Sequence, residues 1–140
     1  MKVQGRTSGF TLVELLVVIA ILGLVVGLAG PQVMRRLSGA KAQTADLQIE
    51  DFGAALDLFL LDTGRYPTTD EGLQSLLTAP LDVVNWSGPY LNKSDVPDDP
   101  WGRPYAYRAP GEHGVYDLYS YGSDGSPGGE SDAADVVSWD

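Results

Sequence analysis

The stretch FTLVELLVVIAILGLVVGLA, residues 10–29, decides the architecture of this chain. Its 20 residues carry one charge, Glu14, and as an α-helix they would extend about 30 Å, the thickness of the hydrocarbon core of a bilayer. Lys2 and Arg6 precede the stretch. This predicts that the N-terminus faces the cytoplasm and that the remainder lies outside the membrane, which in a Gram-negative cell is the periplasm. The chain has 140 residues, so about 110 are left for one compact body.

The segment before this stretch, MKVQGRTSG (residues 1–9), is unlike a secretory signal, which carries its cleavage site after the apolar region. Glu14 is anomalous, because a carboxylate inside an apolar span costs on the order of 2–3.5 kcal/mol. Its carboxyl group either reaches the headgroups, is protonated, or has a partner. Cleavage before Phe10 would create an α-amino group that Glu14 of a neighbouring subunit could neutralise, and such a pair would impose an axial stagger between subunits.

The sequence G-F-T-L-V-E after a short basic leader resembles the cleavage signal of type IV pilins and of the pseudopilins of type II secretion. The resemblance implies that a prepilin peptidase cleaves between Gly9 and Phe10 and methylates the new N-terminus of Phe10. It also implies that Glu14 is the assembly glutamate. The predicted regions are a leader (1–9), a transmembrane and assembly helix (10–30), an amphipathic continuation of that helix (31–62) and a periplasmic globular domain (63–140).

Helix-weakening residues follow the apolar stretch: Gly23, Gly27, Gly30 and Pro31. Pro31 removes a backbone donor and crowds the preceding turn. Two structures are compatible with this pattern. One is a continuous helix with a kink or a melted stretch, and the other is a plain break at the membrane boundary.

Beyond Pro31, a helical pattern resumes from Gln32 to about Leu61. One apolar set follows the four-three spacing of a buried stripe: Ala45, Ile49, Phe52, Leu56 and Phe59. A second apolar set falls roughly on the opposite side: Leu47, Ala54, Leu58 and Leu61. Either the body of the chain encloses the helix, or this second stripe packs against other subunits. The anchor favours the second alternative.

The body that follows is predicted to be small and of the α+β class. Thr63 and Gly64 end the helix, and Thr69 or Asp70 caps a short helix over Glu71–Leu77. Alternating residues then predict an antiparallel hairpin and a third strand: Pro104–Arg108, Val115–Tyr121 and a segment near Val136–Trp139. The expected fold is type IV pilin-like, with a long N-terminal helix packed on a small antiparallel sheet and a C-terminal calcium-binding loop.

Three further stretches narrow the resemblance: GRYPTTDEGLQSL, DPWGRPYAYR and HGVYDLYSYGSDG. Together they resemble the major pseudopilins of type II secretion, the general secretion pathway protein G family, over nearly the whole chain. The absence of cysteine agrees with this, because many type IV pilins close a C-terminal disulfide loop. The resemblance implies a structural subunit and not an enzyme. The only histidine, His113, lies in a turn, where an exposed side chain is expected rather than a general base.

The implied function is polymerisation into a periplasmic pseudopilus that pushes folded exoproteins toward an outer-membrane secretin. The implied partners are further copies of the chain, minor pseudopilins, the prepilin peptidase, an inner-membrane platform protein and an assembly ATPase. One rival is a type IV pilin acting in adhesion, motility or DNA uptake. A rival of another class is a membrane-tethered calcium-binding or carbohydrate-binding protein that never polymerises.

The body is strongly acidic, since only one of the 19 Asp and Glu residues and five of the nine Lys and Arg residues lie within the first 41 positions. Such a surface repels nucleic acid and suits hard cations. On composition alone, the loop SYGSDGSPGGESDAAD (residues 120–135) is better explained as a solvated acidic loop than as a metal site. The resemblance instead implies a structural calcium ion there. The implied ligands are the side chains of Asp124 and Asp132 and the carbonyls of Tyr121 and Ser126, with Ser131 and Asp135 as further members of the set.

Overall fold

The computed structural model describes residues 9–140, apart from the side chain of Asp132. The chain divides into two compact units, Met1–Leu37 and Ser38–Asp140. The predicted leader, except for Gly9, lies outside the described residues.

A single α-helix, α1, runs from Leu12 to Thr63. The helix includes Pro31, so the alternative of a plain break at the membrane boundary is wrong. Pro31 has no N–H, so the helix lacks the intrahelical hydrogen bond that residue 31 would donate to the carbonyl of Gly27. The predicted end is confirmed. Gly64 has a φ of 82° and its N–H donates to the carbonyl of Leu60 at 2.8 Å, as in a helix closed by a left-handed residue.

Within the first unit, α1 is apolar and its side chains are exposed. By length and composition the helix can cross a membrane, and none of its most apolar stretch is buried. Leu12 is 83% exposed and Leu28 is 74% exposed.

The second unit buries one stripe of α1, as predicted. The buried residues are Ala55 and those at the four-three spacing: Ala45, Ile49, Phe52, Leu56 and Phe59. Their partners come from the short helix and the sheet: Leu73, Leu76, Tyr105 and Leu118. The second apolar stripe is exposed, with Leu47 at 56%, Leu58 at 50% and Leu61 at 78%. The body therefore does not enclose α1.

The sheet has three antiparallel strands in the order β1-β2-β3, so the predicted antiparallel hairpin and third strand are both present. β1 is Ala106–Arg108, β2 is Asp117–Ser120 and β3 is Val136–Val137. Each is shorter than predicted. The second strand begins only at Asp117 because that carboxylate binds the N–H groups of Glu112 and His113 and holds the preceding residues in a loop.

The predicted helix Glu71–Leu77 is wrong in type and extent, because only Leu73–Leu76 are helical and they form a 3₁₀ turn. The predicted caps Thr69 and Asp70 are also wrong. Thr68 and Glu71 instead bond each other reciprocally: the Thr68 N–H donates to Glu71 at 2.7 Å and the Glu71 N–H donates to the Thr68 hydroxyl at 3.3 Å. Gly72 follows with a φ of 58°, which ends any α-helical path.

Candidate functional site

The N-terminal site is built on the first turn of α1. The Glu14 carboxylate accepts the backbone N–H of Thr11 at 3.0 Å and its hydroxyl at 3.1 Å, and the Glu14 N–H donates to the Thr11 hydroxyl at 3.2 Å. Thr11 immediately precedes the helix and Glu14 is its third residue, so the pair is a capping box. The pattern T-x-x-E is the sequence signal of a capping box, but the only partner predicted for Glu14 from the sequence was a charged one.

The capping box gives Glu14 hydrogen-bond donors within its own chain. A carboxylate held by two donors is less costly in apolar surroundings than a bare one. The Gly9–Phe10 peptide bond lies just before the helix, and both residues are exposed, Phe10 at 84%. The bond is therefore free of helical structure and accessible on this side of the chain.

The second candidate site is the C-terminal loop, residues 121–135, which folds back on itself. A Cβ built at Gly122 would clash with the carbonyl of Ala134, and one built at Gly129 would clash with the carbonyl of Ala133. Both glycines have positive φ, so residues with side chains would be strained and crowded there. The backbone thereby brings the start of the loop close to its end.

Two of the acidic side chains in the loop bind backbone amides. Asp124 accepts the N–H of Ser126 at 3.0 Å, and Oδ2 of Asp135 accepts the N–H of Gly128 at 2.9 Å. The carbonyl of Tyr121 accepts the N–H of Gly125 at 3.2 Å. Ser131 has a φ of 60° and begins a short 3₁₀ turn, Ser131–Ala133.

The other oxygen of Asp135 bears on whether a metal ion fits. Oδ1 of Asp135 is buried and accepts no hydrogen bond from the residues that the structure describes. A buried carboxylate oxygen without a donor is a group that a hard cation would satisfy. No three acidic or histidine side chains converge into a metal-binding group within the described part of the chain, from which the side chain of Asp132 is excluded. The loop residues therefore fit a cation in two respects: Asp135 offers an oxygen without a donor, and the backbone brings the two ends of the loop together.

A buried carboxylate that the sequence did not single out lies on the outer face of the sheet. Asp117 is 4% exposed and accepts the N–H groups of Glu112 at 2.8 Å and His113 at 3.1 Å, while the His113 ring lies 3.1 Å away. Burial alone would raise the pKa of the Asp117 carboxyl, but these donors outweigh it and lower the pKa. His113 also stacks on Trp139 with ring centroids 4.1 Å apart. It is half-exposed in a turn, as expected, but it is held on both sides and closes the hairpin.

A capped apolar helix, a small antiparallel sheet packed on the buried stripe of its second half and an acidic loop define a pilin-like class of subunit. The comparisons with known proteins agree with this class. The model of the prokaryotic N-terminal methylation motif matches residues 5–30. The model of type II secretion system protein G matches residues 32–139. The chain belongs to the type II secretion system protein G family.

Individual relatives give the same result. The type II secretion system core protein G of Pseudomonas aeruginosa is 47% identical over 98% of both chains. That of Vibrio cholerae is 39% identical over 99% of this chain and 96% of its own length. The crystal structure of the major pseudopilin of enterohaemorrhagic Escherichia coli has a TM-score of 0.64 and 32% identity, and the match covers 76% of this chain and 88% of that one.

The prediction of a type II secretion major pseudopilin is confirmed at the level of the family. The alternative of a type IV pilin for adhesion, motility or DNA uptake is not favoured by these relatives. The cleavage site, the assembly role of Glu14 and the calcium ligands stay predictions.

Proposed function

We propose that this chain is the subunit of a periplasmic pseudopilus that moves folded exoproteins through an outer-membrane secretin. One observation carries the proposal: the apolar side chains of α1 from Leu12 to Leu28 are exposed and have no packing partner in the described part of the chain. Such a surface is stable only in lipid or against other apolar surfaces. A subunit that waits in the membrane and then packs into a filament satisfies both conditions.

The first step of the proposed pathway is processing. The prepilin peptidase would cleave between Gly9 and Phe10 and methylate Phe10, and the N-terminal side would face the cytoplasm because Lys2 and Arg6 precede the span. The match to the N-terminal methylation motif over residues 5–30 supports this step.

Assembly would pair the new α-amino group of Phe10 with Glu14 of a neighbouring copy. Glu14 lies in the first turn of α1, four residues after Phe10 in its own chain. In apolar surroundings an ammonium and a carboxylate attract strongly at short distance, and each is costly without a partner. The pair therefore selects the one axial stagger between neighbours that brings the two groups together. The exposed stripe of Leu47, Leu58 and Leu61 would supply further apolar contact between copies.

The remaining partners follow from the family. Minor pseudopilins would begin the fibre, and a platform protein and a cytoplasmic ATPase would add subunits to its base. The chain itself would supply contacts and length, and no chemistry.

We also propose that calcium stabilises the C-terminal loop. Asp124 and Asp132 would supply carboxylate oxygens, Tyr121 and Ser126 would supply carbonyl oxygens, and Asp135 and Ser131 would complete or support the set. The buried Oδ1 of Asp135, which has no donor among the described residues, supports the proposal. When bound, the ion contributes charge neutralisation and cross-linking of the loop.

The test of the secretion function is a gene deletion with complementation. We expect the deletion to abolish exoprotein release and leave twitching and DNA uptake unchanged, and the wild-type chain to restore release. Mass spectrometry of the complemented protein should show a chain that begins at a methylated Phe10. Normal release with lost twitching would instead identify a type IV pilin. Unchanged release, twitching and uptake would favour a tethered binding protein.

A further inference from the structure

A side chain outside the predicted ligand set joins the C-terminal loop to the rest of the body. Arg103 follows the turn that precedes β1, and its Nη2 donates to the carbonyl of Gly122. A Cβ built at Gly125 would clash with the same guanidinium. The guanidinium therefore lies against both ends of the turn Gly122–Gly125, which contains Asp124 and directly follows Tyr121.

The backbone that carries Arg103 is itself fixed. Asp99 is 5% exposed, and its Oδ1 accepts the N–H groups of Trp101 at 3.0 Å and Arg103 at 2.9 Å. The Asp99 N–H donates back to the Arg103 carbonyl at 2.7 Å. The other oxygen, Oδ2, accepts the hydroxyl of Ser120 at 2.6 Å. Asp99 thus holds the last residue of β2, and Arg103 holds the first turn of the loop that follows.

Arg103 makes few other polar contacts. Its Nε is buried without a hydrogen-bond partner, and no carboxylate that the structure describes forms an ion pair with it. The guanidinium is partly buried, and the contacts that the structure describes for it are with the loop backbone.

We propose that Arg103 is a positioning residue for calcium in the C-terminal loop. It holds the turn that carries the Tyr121 carbonyl and the Asp124 carboxylate before the ion arrives. The proposal rests on the calcium site proposed above. Groups that orient metal ligands typically change metal affinity 10- to 100-fold when they are removed.

Electrostatics alone makes the opposite prediction. A fixed positive charge next to a cation site repels the cation, so removal of the guanidinium would tighten calcium binding. The sign of the change in affinity therefore distinguishes a positioning residue from a nearby charge.

The test is a calcium titration of the full chain in detergent micelles, after removal of bound metal with a chelator, for wild type, Arg103→Gln and Arg103→Lys. We expect Arg103→Gln to bind calcium roughly 10- to 100-fold more weakly. We expect Arg103→Lys to recover part of the affinity, since lysine can donate to the Gly122 carbonyl but lacks the planar group that lies against Gly125. Arg65→Gln is the matched control: it removes a guanidinium bound to Glu71, and it should lower the melting temperature without changing calcium affinity.

Amide hydrogen exchange in the metal-free state gives a second measurement. Arg103→Gln should speed exchange at Gly125, whose N–H bonds the Tyr121 carbonyl, while Arg65→Gln should not. Unchanged or tighter calcium binding by Arg103→Gln would overturn the proposal. If that variant does not fold, Arg103→Lys with wild-type affinity overturns it. A wild-type chain that binds no calcium overturns the calcium site itself, and exchange at Gly125 then still reports whether Arg103 holds the turn.

Discussion

The two halves of α1 have opposite surroundings. From Leu12 to Leu28 every large apolar side chain is at least 46% exposed, whereas the stripe from Ala45 to Phe59 is at most 5% exposed. The same secondary structure therefore serves two purposes. The second half folds the body by burying one stripe under the sheet. The first half contributes nothing to that core and is left for contacts outside the chain.

The largest effect is expected from substitution of Glu14, in the exposed half of α1. We expect Glu14→Ala to abolish filament assembly, because the Phe10 amine of a neighbouring copy would lose its partner, while the free energy of unfolding of the body changes by less than about 0.5 kcal/mol. Pelleting of filaments and a denaturant titration in detergent measure the two effects. Glu50→Ala, on the exposed side of the second half, is the matched control. Filaments at wild-type yield from Glu14→Ala would contradict the assembly role.

In the buried half of α1, a substitution should instead change the free energy of unfolding of the body. Phe52 is 1% exposed and meets Tyr105 edge-on with ring centroids 5.3 Å apart. We expect Phe52→Ala to destabilise the body by about 3–5 kcal/mol through the lost contacts and the cavity. Leu61→Ala removes an apolar side chain that is 78% exposed, and it should cost less than about 0.5 kcal/mol. Equal losses from the two variants in a denaturant titration would show that the exposed stripe is buried within the chain after all.

Removal of calcium should have an intermediate effect, confined to the second unit. At calcium concentrations about 100 times the dissociation constant, bound ion stabilises the folded chain by about 2.7 kcal/mol. We expect a chelator to lower the melting temperature accordingly, and Asp124→Asn to lower it to the same value with or without chelator. Glu112→Gln, an exposed acid of the hairpin, should still respond to chelator as the wild type does. A melting curve of the wild type that is unchanged by chelator would count against the site.

The smallest effect concerns acid stability. Arg65 binds both oxygens of Glu71 at 2.7 Å, and this pairing, with the Thr68 amide, lowers the pKa of the Glu71 carboxyl to about 2 despite partial burial. Because the folded pKa is below the unfolded one, the pair stabilises the body above about pH 4.5, and the contribution is lost as the pH falls toward 2. Arg65 is 40% exposed on its side chain, so solvent screening limits the contribution to about 1 kcal/mol.

Glu71→Gln should therefore lower the free energy of unfolding by about 1 kcal/mol at pH 7. It should also weaken the dependence of that free energy on pH between pH 4.5 and 2, which is the acid limb of the stability curve. Glu50→Gln, on an exposed position of α1, should leave that limb as it is. Denaturant titrations at several pH values give both quantities. An acid limb as steep in Glu71→Gln as in the wild type would show that another carboxylate is responsible.

The spacing of apolar residues and the position of single glycines were enough to predict the long helix. The stripe from Ala45 to Phe59 and the end of α1 at Gly64 follow from spacing and from one glycine. The break at Pro31 did not occur, because the loss of a single hydrogen bond is too small to end this 52-residue helix.

The wrong bounds of the short helix and of the second strand have a common cause. In both places a side chain in a loop bonds groups a few residues away. The short helix was expected from Glu71 onward, but Glu71 is engaged by Arg65 and Thr68, and Gly72 takes a positive φ. The second strand was expected from Val115, but Asp117 holds the preceding loop. The residue types alone do not tell whether such a side chain is bonded within the loop or faces solvent. The path of the backbone decides this.

The candidate sites were predictable to different degrees. A T-x-x-E pattern before an apolar run fixes the Thr11–Glu14 box by sequence spacing alone. Composition located the acidic loop, but only the resemblance implied calcium there, and the convergence of its oxygens depends on where the backbone folds. Arg103 belongs to another segment, and only the contact with Gly122 reveals it.

The Thr11–Glu14 capping box has a consequence for how a filament of such subunits would behave over time. In the lone subunit the carboxylate is bound by its own Thr11. In the proposed filament it would be bound by the amine of another copy. Growth at the membrane would then exchange one set of donors to the Glu14 carboxylate for another. Because the carboxylate has donors in both states, the exchange leaves it hydrogen-bonded whether a subunit joins the filament or returns to the membrane.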